Sequence, residues 1–287
     1  MKKDLVFVLG ATQNISFALA NVIIGLQRHN GHLYFDIIVF EQGITEKDKS
    51  IITSIHPTQF IEYKAPSSLK SKNLESLNRF TALSLSIYEC FSLLKDYKKV
   101  IWLDCDILVQ KKLDKLIEQT NDQMWMFLET NKTKDNQIIQ CYNSGIVVFN
   151  ESIEDYAQLT KWCYDKTFEM LDSLENPDQA ILNLIIQAFG IKITTKLDGL
   201  FNCHPISKNS HKAEIVHTAY TEKFWNFYYY KQWEENYKKW LNLGGSPCIN
   251  KKNKPFEGFL RINSPLLYDF IKKPRKTFKS IFLAKEC

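Results

Sequence analysis

The 287-residue sequence has few of the features that mark linkers, disulfide-rich folds or metal-binding cysteine clusters. It contains ten glycines and eight prolines, and it shows no Gly/Ser-rich linker, internal repeat or low-complexity tract. Its seven cysteines are an odd number, spread along the chain without a C-x-x-C pair, which argues against a disulfide framework and a zinc cluster. A globular protein in a reducing cytosol fits this composition best.

An excess of charge and a long apolar run are also missing. The chain has 37 Lys and Arg against 32 Asp and Glu, a net charge of +5, which does not by itself indicate nucleic-acid binding. The N-terminal sequence MKKDLVFVLGATQN resembles a signal peptide only in part, because Asp4 interrupts its basic start and ATQN ends its apolar run. No stretch there is long enough to span a bilayer. We expect a strand, a polar turn and a helix instead.

The last third of the chain has a distinct composition. Nine aromatic residues lie between Phe224 and Trp240, which most often means core or helix packing, although Tyr and Trp also favour sugar-binding and membrane-proximal surfaces. The tail IKKPRKTFKSIFLAKEC carries six basic residues and one acid, interleaved with apolar side chains. Either a solvated terminal helix or a segment that binds an anionic membrane surface explains this tail.

Strand-like and helix-like segments alternate along the first part of the chain. Short apolar runs predict strands, and the longer segments between them predict helices, one of which starts at a Thr45 cap. The predicted strands are residues 5–10, 35–40, 58–65 and 98–104, and the predicted helices are 15–29, 45–55 and about 74–95. This alternation indicates an α/β fold with a doubly wound, mainly parallel sheet, in which ligands bind beyond the carboxyl ends of the strands.

Beyond residue 104 the pattern predicts a short helix, a strand, a turn that opens onto another strand, and two longer helices. These segments are residues 111–119, 124–129, 142–150, 152–171 and 176–189. In the last helix we expect Asn176 at the N-cap and Pro177 at the first helical position.

The strand KKVIWLD ends in two aspartates, Asp104 and Asp106, with Cys105 between them. Because strand side chains alternate with a period of two, both carboxylates can point to one side and form a hard oxygen site for Mg²⁺ or Mn²⁺. Fifteen aspartates in the chain give roughly one such pair by chance, so the context must support it. The pair follows a buried strand at mid-chain, where doubly wound sheets bind nucleotides. The alternative is that one aspartate caps a helix starting near Lys111.

Five segments, taken in order, resemble the motif set of glycosyltransferase family 8, the retaining GT-A enzymes that include bacterial lipooligosaccharide galactosyltransferases and glycogenin. They are YKKVIWLDCDILVQKKLDKL, YNSGIVVFN, NPDQAILN, FNCHP and IVHTAYTEKFW. The resemblance covers roughly residues 4–226. It implies a GT-A catalytic domain over residues 1–226, followed by a helical, aromatic-rich extension over residues 227–287.

The resemblance implies that Asp104, Asp106 and His217 bind a divalent metal ion, Mn²⁺ or Mg²⁺, and that Lys223 pairs with the diphosphate of the donor. A lone histidine is more often a buried residue bonded to backbone, but His217 lies six residues before Lys223, as the family pattern requires. The loop departs from that pattern at two places: Ala219-Tyr220 stands where the family has Gly, and Phe224 replaces Pro.

The YNSG and NPDQ segments supply further implied site residues. Asn143 and Ser144 match a segment that contacts the donor sugar and lines the acceptor side, and Asp178 and Gln179 match a pair beside the reacting carbon. Each has a simpler alternative: Asn143 with Gly145 could make a turn, and Asp178 could stabilise the positive end of its helix.

The part of the implied site that would bind the nucleotide lacks one residue of the family pattern. The resemblance assigns Asn14 to the nucleotide, Arg79 to the donor, and Asp104, Cys105 and Asp106 to the segment that contacts the diphosphate. The family usually has an acidic residue after the first strand, whereas this sequence has Gly-Ala-Thr at residues 10–12. An exposed helix charge is the alternative for Arg79.

Taken together, the resemblance implies transfer of a hexose, galactose or glucose, from a UDP-sugar to a glycan acceptor in bacterial lipopolysaccharide or capsule synthesis. The expected location is the cytoplasm, at the inner face of the membrane. Two alternatives stay open: a haloacid-dehalogenase-type phosphohydrolase, whose strand also ends in D-x-D, and a non-catalytic protein that binds nucleotide sugars or glycans on the same scaffold.

The basic tail gives a direct test of membrane association. Deletion of residues 272–287 should move the protein from the membrane fraction to the soluble fraction, because the tail's cationic charge is attracted to anionic lipids by about 1 kcal/mol per basic residue. Fractionation of cells that express the full-length and the shortened chain measures this shift. An unchanged distribution would contradict the membrane role of the tail.

Overall fold

The computed structural model describes residues 1–67, 82–132, 138–174, 176–197, 199–219 and 222–249, together with Leu260 and Ser264. The chain groups into two compact units, each made of separate segments. The first unit contains Met1–Gln13, Leu33–Asp104 and Asp114–Asp198, and the second contains Asn14–His32, Cys105–Leu113 and Gly199–Cys287. The expected division of the chain at residue 226 stays a prediction.

The regular elements are numbered here in chain order. The strands are β1 (Lys3–Thr12), β2 (Asp36–Gln42), β3 (Thr58–Glu62), β4 (Tyr97–Leu103), β5 (Ile107–Val109), β6 (Met124–Lys132), β7 (Ile138–Asn150) and β8 (Ile215–His217). The α-helices are α1 (Ser16–Asn30), α2 (Glu46–Ile55), α3 (Glu89–Leu93), α4 (Asp114–Gln119), α5 (Tyr156–Met170), α6 (Pro177–Phe189) and α7 (Lys231–Asn242). Short 3₁₀ helices cover Gln13–Ile15, Ala82–Tyr88 and Leu171–Ser173.

The first unit is built on a six-stranded sheet with the order β3-β2-β1-β4-β7-β6. Strands β1 to β4 run parallel to one another, β7 is antiparallel to β4, and β6 is antiparallel to β7. The sheet confirms the expected α/β class and the mainly parallel strand arrangement. In β1 the residues from Leu5 to Leu9 are all buried, as expected for a central strand that is covered on both faces.

Helix caps in this unit follow the sequence closely. Thr45 caps α2, since its hydroxyl accepts a hydrogen bond from the Asp48 amide at 3.2 Å. Asn176 lies at the N-cap of α6 and Pro177 opens the helix, as predicted, but the Asn176 side chain makes no capping hydrogen bond. The helix ends at Gly190, which has a left-handed backbone conformation with φ of 62°.

Three local predictions differ from the structure, one of them only in where its helix begins. The part of the predicted 74–95 helix that lies in the described residues is a 3₁₀ helix followed by the short α3, which ends at Leu93; residues 74–81 lie outside the described part. The helix predicted over 111–119 begins at Asp114, after the unpredicted strand β5. The YNSG segment is not a turn, because residues 142–145 lie inside β7 and Tyr142 pairs with Leu128 of β6.

The second unit contains the two-stranded antiparallel sheet of β5 and β8 and the helices α1 and α7. The two helices are joined by buried amides: Asn236 Nδ2 donates to Asn21 Oδ1 at 3.0 Å, and Asn21 Nδ2 donates to the Trp233 carbonyl at 2.9 Å. Trp233 and Trp240 are fully buried. The packing interpretation of the aromatic segment is therefore confirmed for these side chains, while Tyr229 is exposed.

Across the described residues, none of the helices combines the length and the apolar character needed to cross a membrane. The basic tail, residues 272–287, lies outside the described residues.

Candidate functional site

One cluster of polar side chains lies in the second unit, where β5 and β8 pair. The pairing of Ile107 with His217 places Asp106, the residue before β5, beside the end of β8. The Asp106 carbonyl accepts hydrogen bonds from the amide and the hydroxyl of Thr218 at 3.1 and 2.9 Å. His217 Nε2 lies 3.2 Å from Asp106 Oδ1. The strand pairing therefore brings together a carboxylate and an imidazole that are 111 residues apart in sequence.

The orientation of His217 is set by Asn202. Because an amide oxygen can only accept, His217 Nδ1 donates its proton to Asn202 Oδ1 at 2.7 Å, and this hydrogen bond turns Nε2 toward Asp106. Histidines that bind metals usually donate their second ring N–H in this way. At 3.2 Å from Asp106 Oδ1, a protonated Nε2 donates to the carboxylate, whereas in the neutral ring the Nε2 lone pair can bind a cation. The sequence placed Asn202 in the FNCHP motif but gave no reason to assign it this role.

Lys223 places a positive charge beside the Asp106 carboxylate. Its ammonium group donates to Asp106 Oδ2 and, at 2.7 Å, to the Thr218 carbonyl. Burial works against the charged form of Asp106, but His217 and Lys223 outweigh it and hold the pKa of this carboxyl well below its usual range. Asp106 is therefore an anion at neutral pH, with two basic side chains in contact with it.

Asp104 follows β4 in the first unit, and hydrogen bonds with β7 and Trp102 hold it in place. Its amide donates to the Gly145 carbonyl of β7 at 2.9 Å, and its carboxylate Oδ1 accepts from the Trp102 indole N–H, also at 2.9 Å. The alternative in which an aspartate caps the next helix is wrong, because α4 begins only at Asp114. Cys105, between the two aspartates, is buried, and its assignment to the donor site stays a prediction.

A second cluster in the first unit joins β7 to the start of α6. The Ser144 hydroxyl donates to Asp178 Oδ2 at 2.8 Å, and the Ser144 amide donates to Gln179 Oε1 at 3.3 Å. Burial raises the pKa of the Asp178 carboxyl, and the Ser144 hydrogen bond opposes this effect. Three residues that were predicted from two separate motifs are therefore in direct contact.

Asn143 belongs to the same edge of β7, but as a strand residue rather than a turn residue. Its Nδ2 donates to Glu129 Oε1 of β6 at 3.0 Å, and its Oδ1 accepts from the Gly145 amide at 2.9 Å. Glu129 is a contact that sequence reasoning missed, because the pairing of β6 with β7 fixes it and no local motif marks it.

Asn183 is the other missed residue, and it fastens α6 to β7. Its Oδ1 accepts from the Tyr142 amide at 2.8 Å, and its Nδ2 donates to the carbonyls of Tyr142 and Gln179, both at 2.8 Å. The side-chain amide thus takes the place of a neighbouring strand where the pairing of β7 with β4 has ended at Ile146. The signal in the sequence was the i, i+4 spacing from Gln179, which places both residues on one helix face.

The remaining predicted residues have weaker structural support. Asn14 is exposed in the 3₁₀ helix that follows β1, and its nucleotide role stays a prediction. Arg79 and Tyr220 lie outside the described residues. Ala219, where the family pattern has Gly, is half-buried.

Comparisons with known proteins agree on one family. The family model described as glycosyl transferase family 8 matches residues 6–239. Glycogenin-1 of Mus musculus is 29% identical over 160 residues, which cover 52% of this chain and 44% of the relative. Glycogenin-1 of Homo sapiens is 27% identical over 157 residues, with 51% and 41% covered. The chain spans less than half the length of the curated relatives that it matches.

Solved structures show the same fold. Galactosyltransferase LgtC, solved with donor and acceptor sugar analogues, aligns with a TM-score of 0.60 at 14% identity, covering 89% of this chain and 99% of LgtC. The bifunctional glycosyltransferase WbbM, solved in its apo form, aligns with a TM-score of 0.60 at 16% identity over 85% of this chain and 52% of WbbM. Glycosyltransferase GlyE of Streptococcus pneumoniae gives 0.56 at 16% identity, over 87% of this chain and 66% of GlyE.

The hydrogen bonds from Asn183 to Tyr142 and Gln179, called the Asn183 clamp below, should contribute measurably to the stability of the fold. Asn183→Leu should lower the free energy of unfolding by about 1–3 kcal/mol, because it leaves the amide and the carbonyl of Tyr142 without their partners. Urea unfolding of the purified protein measures the change. Gln187→Leu, one turn further along the same helix at an exposed position, is the matched control and should change the stability by less than about 0.5 kcal/mol. Equal effects of the two substitutions would show that the clamp does not stabilise the fold.

Proposed function

The chain belongs to glycosyltransferase family 8 and has the GT-A fold, and from this premise we propose that it transfers a hexose from a UDP-sugar to a hydroxyl group of a glycan acceptor. The proposed hexose is galactose or glucose, and the proposed setting is the synthesis of bacterial lipopolysaccharide or capsule. The proposed reaction retains the configuration of the anomeric carbon. The observation that carries the proposal is the cluster of Asp106, His217 and Lys223.

We propose that Asp104, Asp106 and His217 hold a divalent cation, Mn²⁺ or Mg²⁺. The donor set fits such an ion: two carboxylates supply hard oxygen ligands, and the Asn202 hydrogen bond leaves Nε2 of His217, a ligand atom in the neutral ring, facing Asp106. Asp104 is two residues from Asp106, so the chain itself keeps their Cα atoms within roughly 7 Å. A bound cation would supply Lewis-acid neutralisation of the charge that develops on the leaving diphosphate.

Lys223 is the proposed partner of the donor diphosphate. Its ammonium group shares the Asp106 carboxylate, so it lies beside the proposed metal ligands with its charge already in place. A fixed positive charge in a partly buried site stabilises a developing anion without the reorganisation that water would require. The departures from the family pattern at Ala219-Tyr220 and Phe224 lie within four residues of Lys223 in the sequence.

The β7 and α6 cluster is the proposed sugar side of the site. Asn143 and Ser144 would contact the donor sugar and line the acceptor side, and Asp178 and Gln179 would lie beside the reacting carbon. Retention requires either a covalent intermediate on a carboxylate or attack on the front face, in which a phosphate oxygen takes the acceptor proton. Asp178 is the carboxylate that we assign as candidate nucleophile. Burial, which raises its pKa, makes it a stronger base when it is ionised.

The two alternatives predict different behaviour. A phosphohydrolase would release phosphate from a simple aryl phosphate in the presence of Mg²⁺, but the match to glycosyltransferase family 8 favours sugar transfer. A non-catalytic scaffold would bind UDP without turning over any donor. The proposed location is the inner face of the cytoplasmic membrane, reached through the basic tail.

The central residues of this proposal can be tested by substitution. Asp104→Ala and Asp106→Ala should each lower metal-dependent turnover of the UDP-sugar by at least roughly 100-fold, since loss of residues that merely support metal ligands already costs 10- to 100-fold. The assay is UDP release with Mn²⁺ and an acceptor. Asp165→Ala is the matched control, because Asp165 is exposed on α5 and forms a surface ion pair with Lys161. Near-normal turnover in either of the first two variants would contradict the proposal.

A further inference from the structure

We propose that Trp102 is a positioning residue for Asp104, and that Gly10 is a glycine because the Trp102 ring occupies the space of a side chain there. The inference rests on the proposed function in one respect, the assignment of Asp104 as a metal ligand. All the contacts that support it lie within the first unit of the structure.

The first observation is the hydrogen bond between Trp102 and Asp104. Trp102 is almost fully buried in β4, and a buried indole N–H needs an acceptor. Its acceptor is Asp104 Oδ1 at 2.9 Å. Trp102 and Asp104 are two residues apart along an extended chain, so their side chains point to the same side. The hydrogen bond therefore fixes the direction in which the Asp104 carboxylate points.

The second observation is that the backbone of Asp104 is held as well. Its amide donates to the Gly145 carbonyl at 2.9 Å, which continues the pairing of β4 with β7. With the main chain fixed by β7 and one carboxylate oxygen fixed by Trp102, the side chain has little rotational freedom left. A ligand whose orientation is set before binding loses less entropy when a cation binds.

The third observation concerns Gly10, on the neighbouring strand β1. A Cβ atom built on Gly10 would lie 2.9 Å from Cη2 of Trp102 and 3.3 Å from Oγ of Ser86. Gly10 is not among the glycines with a positive φ, so the close approach of the indole, rather than the backbone conformation, requires glycine here.

This contact limits the side chain that residue 10 can carry. Gly10 lies in the Gly-Ala-Thr segment, residues 10–12, that stands where the family pattern has an acidic residue. An acidic side chain at Gly10 would collide with the indole that holds Asp104. We infer that the absence of a side chain at residue 10 and the presence of tryptophan at residue 102 are two parts of one arrangement, which orients Asp104 from the side of β1.

The test measures metal affinity rather than activity. Trp102→Phe keeps an aromatic side chain but removes the indole N–H, and it should weaken Mn²⁺ binding by about 10- to 100-fold, the range observed when a hydrogen-bond partner of a metal ligand is removed. Titration calorimetry or the electron paramagnetic resonance signal of free Mn²⁺ gives the dissociation constant. Trp125→Phe is the matched control, because Trp125 is also buried in the sheet but lies in β6, two strands away from β4. It should leave the Mn²⁺ affinity unchanged.

Gly10→Ala tests the second half of the inference and does not depend on how well Trp102→Phe folds. The added methyl group should displace the indole and weaken Mn²⁺ binding in the same direction. Because both changes act on one hydrogen bond, the double variant should bind no more weakly than Trp102→Phe alone. Additive losses would overturn the link between Gly10 and Trp102.

The outcomes separate this inference from the proposed function. If the wild-type protein binds no Mn²⁺, the metal assignment of Asp104 is wrong, and the proposed function fails with it. If the wild-type protein binds Mn²⁺, and folded Trp102→Phe and Gly10→Ala bind it equally well, the metal site stands and the positioning role of Trp102 is wrong.

Discussion

The carboxylate of Asp106 is the group on which the proposed chemistry depends. An ionised carboxylate that is mostly removed from water is costly unless basic groups contact it. Here His217 and Lys223 both do so, and their influence exceeds the effect of burial on the Asp106 pKa. The pairing of β5 with β8 brings the three side chains together, and Asn202 sets which ring nitrogen of His217 faces the carboxylate. The two strands of this sheet are only three residues long, yet their pairing places Asp106 beside His217.

The two aspartates of the D-x-D pair are anchored to different strands. Asp104 donates its amide to the Gly145 carbonyl of β7, whereas the carbonyl of Asp106 accepts from Thr218, next to β8. The β7 anchor also connects Asp104 with the segment that carries Asn143 and Ser144. Ser144 in turn contacts Asp178 and Gln179 at the start of α6. Hydrogen bonds between β4, β7 and the start of α6 therefore position the residues that we assign to the donor sugar.

Elements whose signal is local could be predicted from the sequence, and elements that depend on distant pairing could not. The run from Leu5 to Leu9 indicated a buried central strand because every residue is apolar, and Thr45 and Pro177 marked helix starts that the structure has. Strands β5 and β8 were missed because three residues give too short a pattern and each pairs with a segment about a hundred residues away.

The YNSG segment was mistaken for a turn because small residues favour turns, whereas contacts from Glu129 and Asn183 hold it in β7. The D-x-D and His217 were found through the order of motifs. Trp102, which bonds Asp104, and Asn202, which bonds His217, were not predicted, because no local sequence pattern marks these contacts.

The most direct test of the account is a panel of nucleotide sugars assayed with Mn²⁺ and candidate glycan acceptors, in which UDP release is measured and the anomeric configuration of the product is read by proton NMR. The account predicts Mn²⁺-dependent turnover of a UDP-hexose, with UDP-galactose or UDP-glucose preferred and the α-configuration of the donor kept in the product. Binding of UDP without turnover of any donor, or a product of inverted configuration, would contradict it.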